Sequence, residues 1–362
     1  MFTMLIPEYR NFSQSKPPQQ FIETQQLSAD KLLQWVRQNT AIIWRGDFQQ
    51  GKQLLAALKK RVRKPSKTGT TPAETFHKYR LAQAQQSRLI NGLLIEIQAN
   101  FQLNLPRAPD VQAALNDVYD TPNTESFLLP LNQLLGFIGA HEWHKKGVFI
   151  EALNNTIHVP FGVFSPLRGE YLDLIAQAPL PETIKSALDL GTGSGVIAAI
   201  LAKRGVANII ATDNNIRAIN AARANFQRLQ YKNIELKQQD GFNNEQVDLI
   251  VCNPPWLPVK PTSVIETALY DPQHTMLKNV LKQAAAHLNP QGQLWLIMSD
   301  LAEHLGLRQA DDLNNWFQEN HWRVRQKLST RPKHSKANNS NDSLAFARQK
   351  EITSLYILET TQ

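Results

Sequence analysis

Residues 189–195 read Asp189-Leu190-Gly191-Thr192-Gly193-Ser194-Gly195. The stretch closes a short apolar run at 187–190 and opens a helical one that continues to Lys203. Three glycines in five positions let the backbone bend sharply and approach a ligand, because no β-carbon stands in the way. Dinucleotide-binding turns use the same device. Their fingerprint, however, places Gly or Ala three positions after Gly193, and here that position is Val196.

Outward from this turn, short apolar runs at 187–190, 208–212, 234–237, 247–251 and 293–298 alternate with helical segments. Such alternation predicts a parallel sheet covered by helices on both faces. Two further runs, 323–328 and 353–358, bring the expected strand count to seven. Upstream, 148–150 and 156–159 read as a hairpin turning at Asn154-Asn155, followed by a loop and a helix at 171–176. Asp213 ends the second strand, where a carboxylate can accept hydrogen bonds from a ribose diol. Asp240, before Gly241, follows the third and can accept from an adenine amino group.

With the turn and both acids in place, residues 145–362 resemble the class I S-adenosylmethionine-dependent methyltransferases. The resemblance implies an α/β fold with a Rossmann-like, mostly parallel sheet of seven strands. It implies that Gly191, Thr192, Gly193 and Gly195 cradle the methionine end of S-adenosylmethionine, with Asp189 near its amino group. By the same resemblance Asp213 binds the ribose and Asp240 contacts the adenine.

Asn253-Pro254-Pro255-Trp256 follows the fourth strand. Two adjacent prolines cannot continue a central ladder, so they make a rigid exit at the strand's carboxyl end, where open α/β sheets bind ligands. The segment resembles the Asn/Asp/Ser-Pro-Pro-aromatic motif of methyltransferases that act on nitrogens attached to planar systems. An amide or exocyclic base amine is a poor nucleophile because its lone pair is delocalised. Acceptors on the Asn253 side chain and the Pro254 carbonyl can hold both N–H groups and turn the lone pair toward the methyl. Trp256 offers a flat face for stacking, a role that asks for a planar ring and not for an indole N–H. Asn253, Pro254, Pro255 and Trp256 are therefore the expected catalytic segment, with Asn253 also bordering the cofactor. The chemistry requires no metal.

Residues 1–25, rich in Gln and Pro, read as a loose tail. Apolar residues near helical spacing (Leu32, Leu33, Val36, Ile43; Phe48, Leu54, Leu55, Leu58, Val62) predict helices from Ser28 onward. Thr71-Pro72-Ala73-Glu74 looks like the start of a helix reaching Phe101 and burying Ile90, Leu93, Leu94 and Ile97. Short helices at 111–118 and 127–138 complete an expected α-helical N-terminal domain, 26–145, ahead of a catalytic domain, 146–362.

The net charge of +8 is unevenly placed. Residues 1–150 hold 18 Lys and Arg against 11 Asp and Glu, whereas 151–362 hold 21 against 20. The run Lys59, Lys60, Arg61, Arg63, Lys64 and Lys67 is densest, and such a concentration suits a phosphate backbone. A solvated helix end is the competing reading. Two substrate classes follow. A helical N-terminal half fits glutamine-amide methyltransferases that modify translation factors or ribosomal proteins. The basic character, with a second basic loop at 330–350, fits methyltransferases of exocyclic amines in rRNA or tRNA, and RNA is the preferred reading. A binding protein that keeps the fold without turnover is the third, opposed by the intact Asn253 and glycine turn.

Other features carry less. His141-Glu142-Trp143-His144 has its histidines three apart, where zinc-protease helices need four, so no metal is expected. Cys252 reads as a buried strand-end thiol. Residues 161–166 resemble the segment that lids the cofactor pocket in related methyltransferases. A single cysteine and the lack of a leader-like pattern in residues 1–12 suggest the cytoplasm. No apolar stretch is long enough to span a membrane.

Overall fold

The computed structural model describes residues 7–13, 16–167, 169–242, 244–262, 265–332 and 342–361. The chain divides into two compact units, one of residues 1–69 and 74–144, the other of 70–73 and 145–362.

The first unit is not all-helical. Strands β1 (Glu8–Tyr9), β2 (Gln20–Thr24), β3 (Thr40–Trp44), β4 (Leu93–Ile97) and β5 (Phe127–Pro130) form a sheet in the order β1-β5-β4-β3-β2. Helices α1 (Ala29–Arg37), α2 (Phe48–Val62), α3 (Pro72–Ile90), α4 (Gln112–Asn116) and α5 (Leu131–Lys146) complete it. Ser28 and Asp47 cap α1 and α2 by accepting from the backbone N–H of Lys31 and Gln50. The expectation of an α-helical domain behind a loose tail is thus corrected: β1 and β2 lie within residues 1–25. The physical reason lies in Ala41–Trp44, Leu93–Ile95 and Phe127–Leu129, apolar runs buried on both faces. Continuous runs this short have no period, and neighbours such as Asn39 and Gly92 mark them as strands only once their partners are known.

The second unit begins with a hairpin, β6 (Val148–Ile150) and β7 (Asn155–Ile157), then helix α6 (Glu170–Gln177). Its sheet comprises β8 (Ser186–Leu190), β9 (Asn208–Asp213), β10 (Ile234–Gln238), β11 (Val247–Cys252), β12 (Leu288–Ser299), β13 (Trp322–Thr330) and β14 (Thr353–Thr360). The order is β10-β9-β8-β11-β12-β14-β13. The first five strands run parallel, and β14 pairs antiparallel with both β12 and β13. Between them run α7 (Val196–Lys203), α8 (Ile216–Leu229), α9 (Thr275–Gln283), α10 (Leu301–His304), α11 (Asp312–Glu319) and α12 (Ala345–Arg348).

Alternate residues of each strand feed two separate cores, as a period of two requires. Ala187, Leu249, Val251, Trp295 and Ile297 join α6, α7 and α8 on one face. Leu188, Leu190, Ile250, Cys252, Leu294 and Leu296 join α9 and α11 on the other. The strand order reverses between β8 and β11, and at such a switch point an open α/β sheet leaves a crevice at its carboxyl edge. Among the described residues no helix is long and apolar enough to cross a membrane.

Candidate functional site

The glycine turn leaves β8 at this switch point. Gly191 and Thr192 N–H both donate to the Thr212 carbonyl, at 2.9 and 2.8 Å, which ties the turn to β9. Gly193 and Gly195 have φ of +54° and +83°, in the left-handed region that glycine adopts without strain. A β-carbon on Gly193 would meet nothing within 4 Å, so the turn borders open space there.

Asp189 is fully buried on β8. Its Oδ2 accepts from the Thr192 hydroxyl at 2.6 Å and the Ala198 N–H at 3.0 Å. Its Oδ1 has no partner, nor has the buried Thr212 hydroxyl. Burial pushes the Asp189 carboxyl up to about 7, against those two hydrogen bonds and with a contribution from the nearby Asp213 carboxylate. An unpaired carboxylate oxygen beside a glycine turn fits a cationic donor, and the ammonium of S-adenosylmethionine is such a group. Thr192 orients this acid.

Asp213 ends β9. Its Oδ2 accepts from the Gly193 N–H at 3.0 Å and its Oδ1 from the Asn215 N–H at 2.9 Å. Burial raises this carboxyl too, opposed by the same two N–H groups. Each oxygen keeps a second lone pair with which to accept from a diol. Asp240 follows β10 in a bend and is exposed.

On the neighbouring strand, Val251 and Cys252 of β11 pair in register with Asp189 and Leu190 of β8. Asn253 therefore leaves β11 beside the start of the glycine turn. The Trp256 indole Nε1 donates to Asn253 Oδ1 at 3.0 Å. Tyr171, buried on α6, lies beside the Asn253 side chain, and burial raises its phenol far above its ordinary range. Pro254 is buried, and Trp256 is half-buried against both cores. Cys252 is fully buried and its thiol is pushed up by burial, so it is no nucleophile at neutral pH.

Sequence reading missed Tyr171 and Asn225. Asn225 is wholly buried on α8, where its amide donates to the carbonyls of Ser194 and His158 and accepts from the His158 N–H. It thereby fastens the glycine turn to the segment leaving β7. Asn215 caps α8 and donates to the Gly162 carbonyl at 3.4 Å, while Arg217 Nε reaches the Phe161 carbonyl at 3.3 Å. The 161–162 backbone thus lies alongside Asp213.

Lys59, Lys60 and Arg61 form the last turn of α2, in the first unit, and Arg63 is its cap. Arg61 is engaged by Asp30 through Nε and Nη2, at 2.7 and 3.2 Å. Lys60 and Arg63 are exposed and Lys59 is half-buried. Of the second basic loop, residues 333–341 lie outside the described residues.

A sheet in this order, with a glycine turn on β8 and an Asn-Pro-Pro-aromatic exit from β11, has the architecture of the class I methyltransferase fold. Residues 154–327 match the family model described as the methyltransferase small domain. The chain is 29% identical over 132 residues to the tRNA1(Val) (adenine(37)-N6)-methyltransferase of Cytophaga hutchinsonii, covering 34% of this chain and 56% of that protein. It is 34% identical over 137 residues to the release factor glutamine methyltransferase of Cereibacter sphaeroides, covering 34% and 49%. With the Escherichia coli release factor glutamine methyltransferase it shares 44% over 86 residues, covering 23% and 31%. The chain thus spans from about a third to little more than half the length of these relatives.

Proposed function

We propose that the protein is an S-adenosylmethionine-dependent N-methyltransferase acting on an exocyclic base amine of ribosomal or transfer RNA. The observation that carries the methyl-transfer reading is the juxtaposition of Asn253 with the glycine turn on adjacent strand ends. Its cofactor, when bound, supplies an electrophilic methyl on a sulfonium. Asp189 Oδ1 would receive the ammonium, Asp213 the ribose hydroxyls and Asp240 the adenine amine. Asn253 Oδ1 and the Pro254 carbonyl accept the two N–H groups of the acceptor amine, which aims its lone pair and stabilises the positive charge that grows on nitrogen. Trp256 stacks on the base, which must be flipped out if it lies in a duplex.

RNA as acceptor is supported by the basic excess of the first 150 residues and by the relative that acts on tRNA adenine. The second reading, a glutamine amide in a translation-apparatus protein, is favoured by the release-factor relatives, because an amide nitrogen presents the same planar geometry. The test is tritium transfer from labelled cofactor to a lysate of a deletion strain, followed by ribonuclease or protease digestion. Label lost to ribonuclease supports RNA, and label lost to protease supports the amide. Asn253→Ala should lower transfer on the order of 10²–10³-fold while leaving cofactor affinity intact. Absence of label in both fractions, from wild type that binds the cofactor, would favour the binding-protein reading.

A further inference from the structure

Asp117 follows α4, and His141 and His144 stand three residues apart on α5, all within the first unit. His141 Nδ1 lies 2.6 Å and His144 Nδ1 2.9 Å from the same oxygen, Asp117 Oδ2. The three ligand atoms lie within 4.8 Å of one another, and this is the one such group among the described residues. The side chains are 21%, 18% and 27% exposed, sheltered yet open to an entering ion.

The spacing of the two histidines does not suggest a site by itself, because the third donor comes from 24 residues upstream. The fold supplies it. Residues three apart share a helix face, so both rings turn their Nδ1 atoms toward one carboxylate. Two imidazole nitrogens and one carboxylate oxygen form a donor set suited to zinc and its neighbours, with a position left for water. We propose that Asp117, His141 and His144 bind one divalent ion of the zinc class, pinning the end of α4 to α5.

Without the ion, Oδ2 accepts hydrogen bonds from the two Nδ1–H groups. Coordination needs the Nδ1 lone pairs, so each neutral ring carries its proton on Nε2 instead. Bonds of about 2.0–2.1 Å set tetrahedral donors roughly 3.3 Å apart, so each histidine-to-aspartate separation opens by less than about 1 Å to admit the ion. The site is independent of the methyl-transfer chemistry, and its role is to cross-link the first unit.

The test uses the untagged full chain, stripped with a chelator and titrated with Zn²⁺ or Co²⁺ alone. The expected result is one equivalent bound by calorimetry, d–d absorption from Co²⁺, and a thermal transition raised by several degrees. His141→Ala and His144→Gln should each weaken binding at least about tenfold and abolish the thermal shift. If either fails to fold by circular dichroism, Asp117→Asn, which keeps the shape and a neutral acceptor, takes its place with the same expectation. No binding by wild type, or equal binding by a folded variant, overturns the proposal. The cluster is then a hydrogen-bonded clamp only.

Discussion

The indole Nε1–H of Trp256 donates to Asn253 Oδ1 at 3.0 Å, across the two intervening prolines. A carboxamide can present either its oxygen or its NH₂ to a given side, and only the oxygen can accept from an indole. Trp256 therefore fixes which end of Asn253 is the acceptor, while the oxygen's second lone pair stays available to a substrate N–H. Stacking alone would make Trp256→Phe nearly silent. The structure predicts otherwise: kcat should fall about fivefold, the equivalent of one lost neutral hydrogen bond of roughly 1 kcal/mol. Affinity for S-adenosylmethionine should not change. A kcat equal to wild type would show that the ring acts through its face only.

Burial places the Asp189 carboxyl at about 7. An aspartate in the unfolded chain titrates near ~4. Between these values the folded state holds a proton that the unfolded state has released. This group's contribution to stability is therefore present below about pH 4 and lost as pH rises toward 7. Cofactor binding runs the other way, because the ammonium pairs best with the ionised acid. Calorimetry from pH 5.5 to 8.5 should show affinity for S-adenosylmethionine rising and levelling above about 7. Asp189→Asn should bind weakly with a flat profile. A flat wild-type profile would remove Asp189 from the ammonium site.

Gly195 combines a φ of +83° with a neighbour that leaves no room, since a β-carbon would lie 2.6 Å from Phe226 Cε1. Gly195→Ala should lower stability to urea by about 1–3 kcal/mol, through left-handed strain and overpacking together. Adding Phe226→Leu should return part of that loss, because it relieves the clash but not the strain. Simple additivity of the two substitutions would mean that the clash does not contribute.

How much of this was legible depends on whether the signal is local. The turn at Gly191–Gly195, Asp213 at the end of β9 and the exit at Asn253-Pro254 are set by adjacent residues, so their places at the strand ends can be read directly. The seven strands of the second unit follow from alternation with helices. The first unit hides its sheet because Ile42, Leu94 and Leu128 sit in short, unbroken apolar runs whose strand character appears only in their pairing. Tyr171 and Asn225 were invisible for a similar reason. Each looks like an ordinary helix residue until a partner 82 or 31 positions along the chain, Asn253 or Ser194, comes beside it. Asp117 and its two histidines belong to the same class.

The acceptor can be tested through charge. Lys59, Lys60 and Arg63 crowd the end of α2, where cations also suit the helix dipole, so their clustering has a local explanation as well as a functional one. Arg61 differs, since Asp30 engages its Nε and Nη2 and the Ala57 carbonyl its Nη1. If the first unit docks RNA, the logarithm of the binding constant should fall with the logarithm of salt by about 0.7–0.9 for every phosphate neutralised. Replacing Lys59, Lys60 and Arg63 together by glutamine should then reduce the slope by roughly two units and raise KM. Arg61→Gln alone should do little, because its solvent-screened ion pair with Asp30 already occupies the cation. Cofactor affinity should be unchanged, because its residues belong to the other unit. If the triple variant methylates normally and the labelled acceptor survives ribonuclease, the basic run is a solvated helix end and the substrate is a glutamine amide.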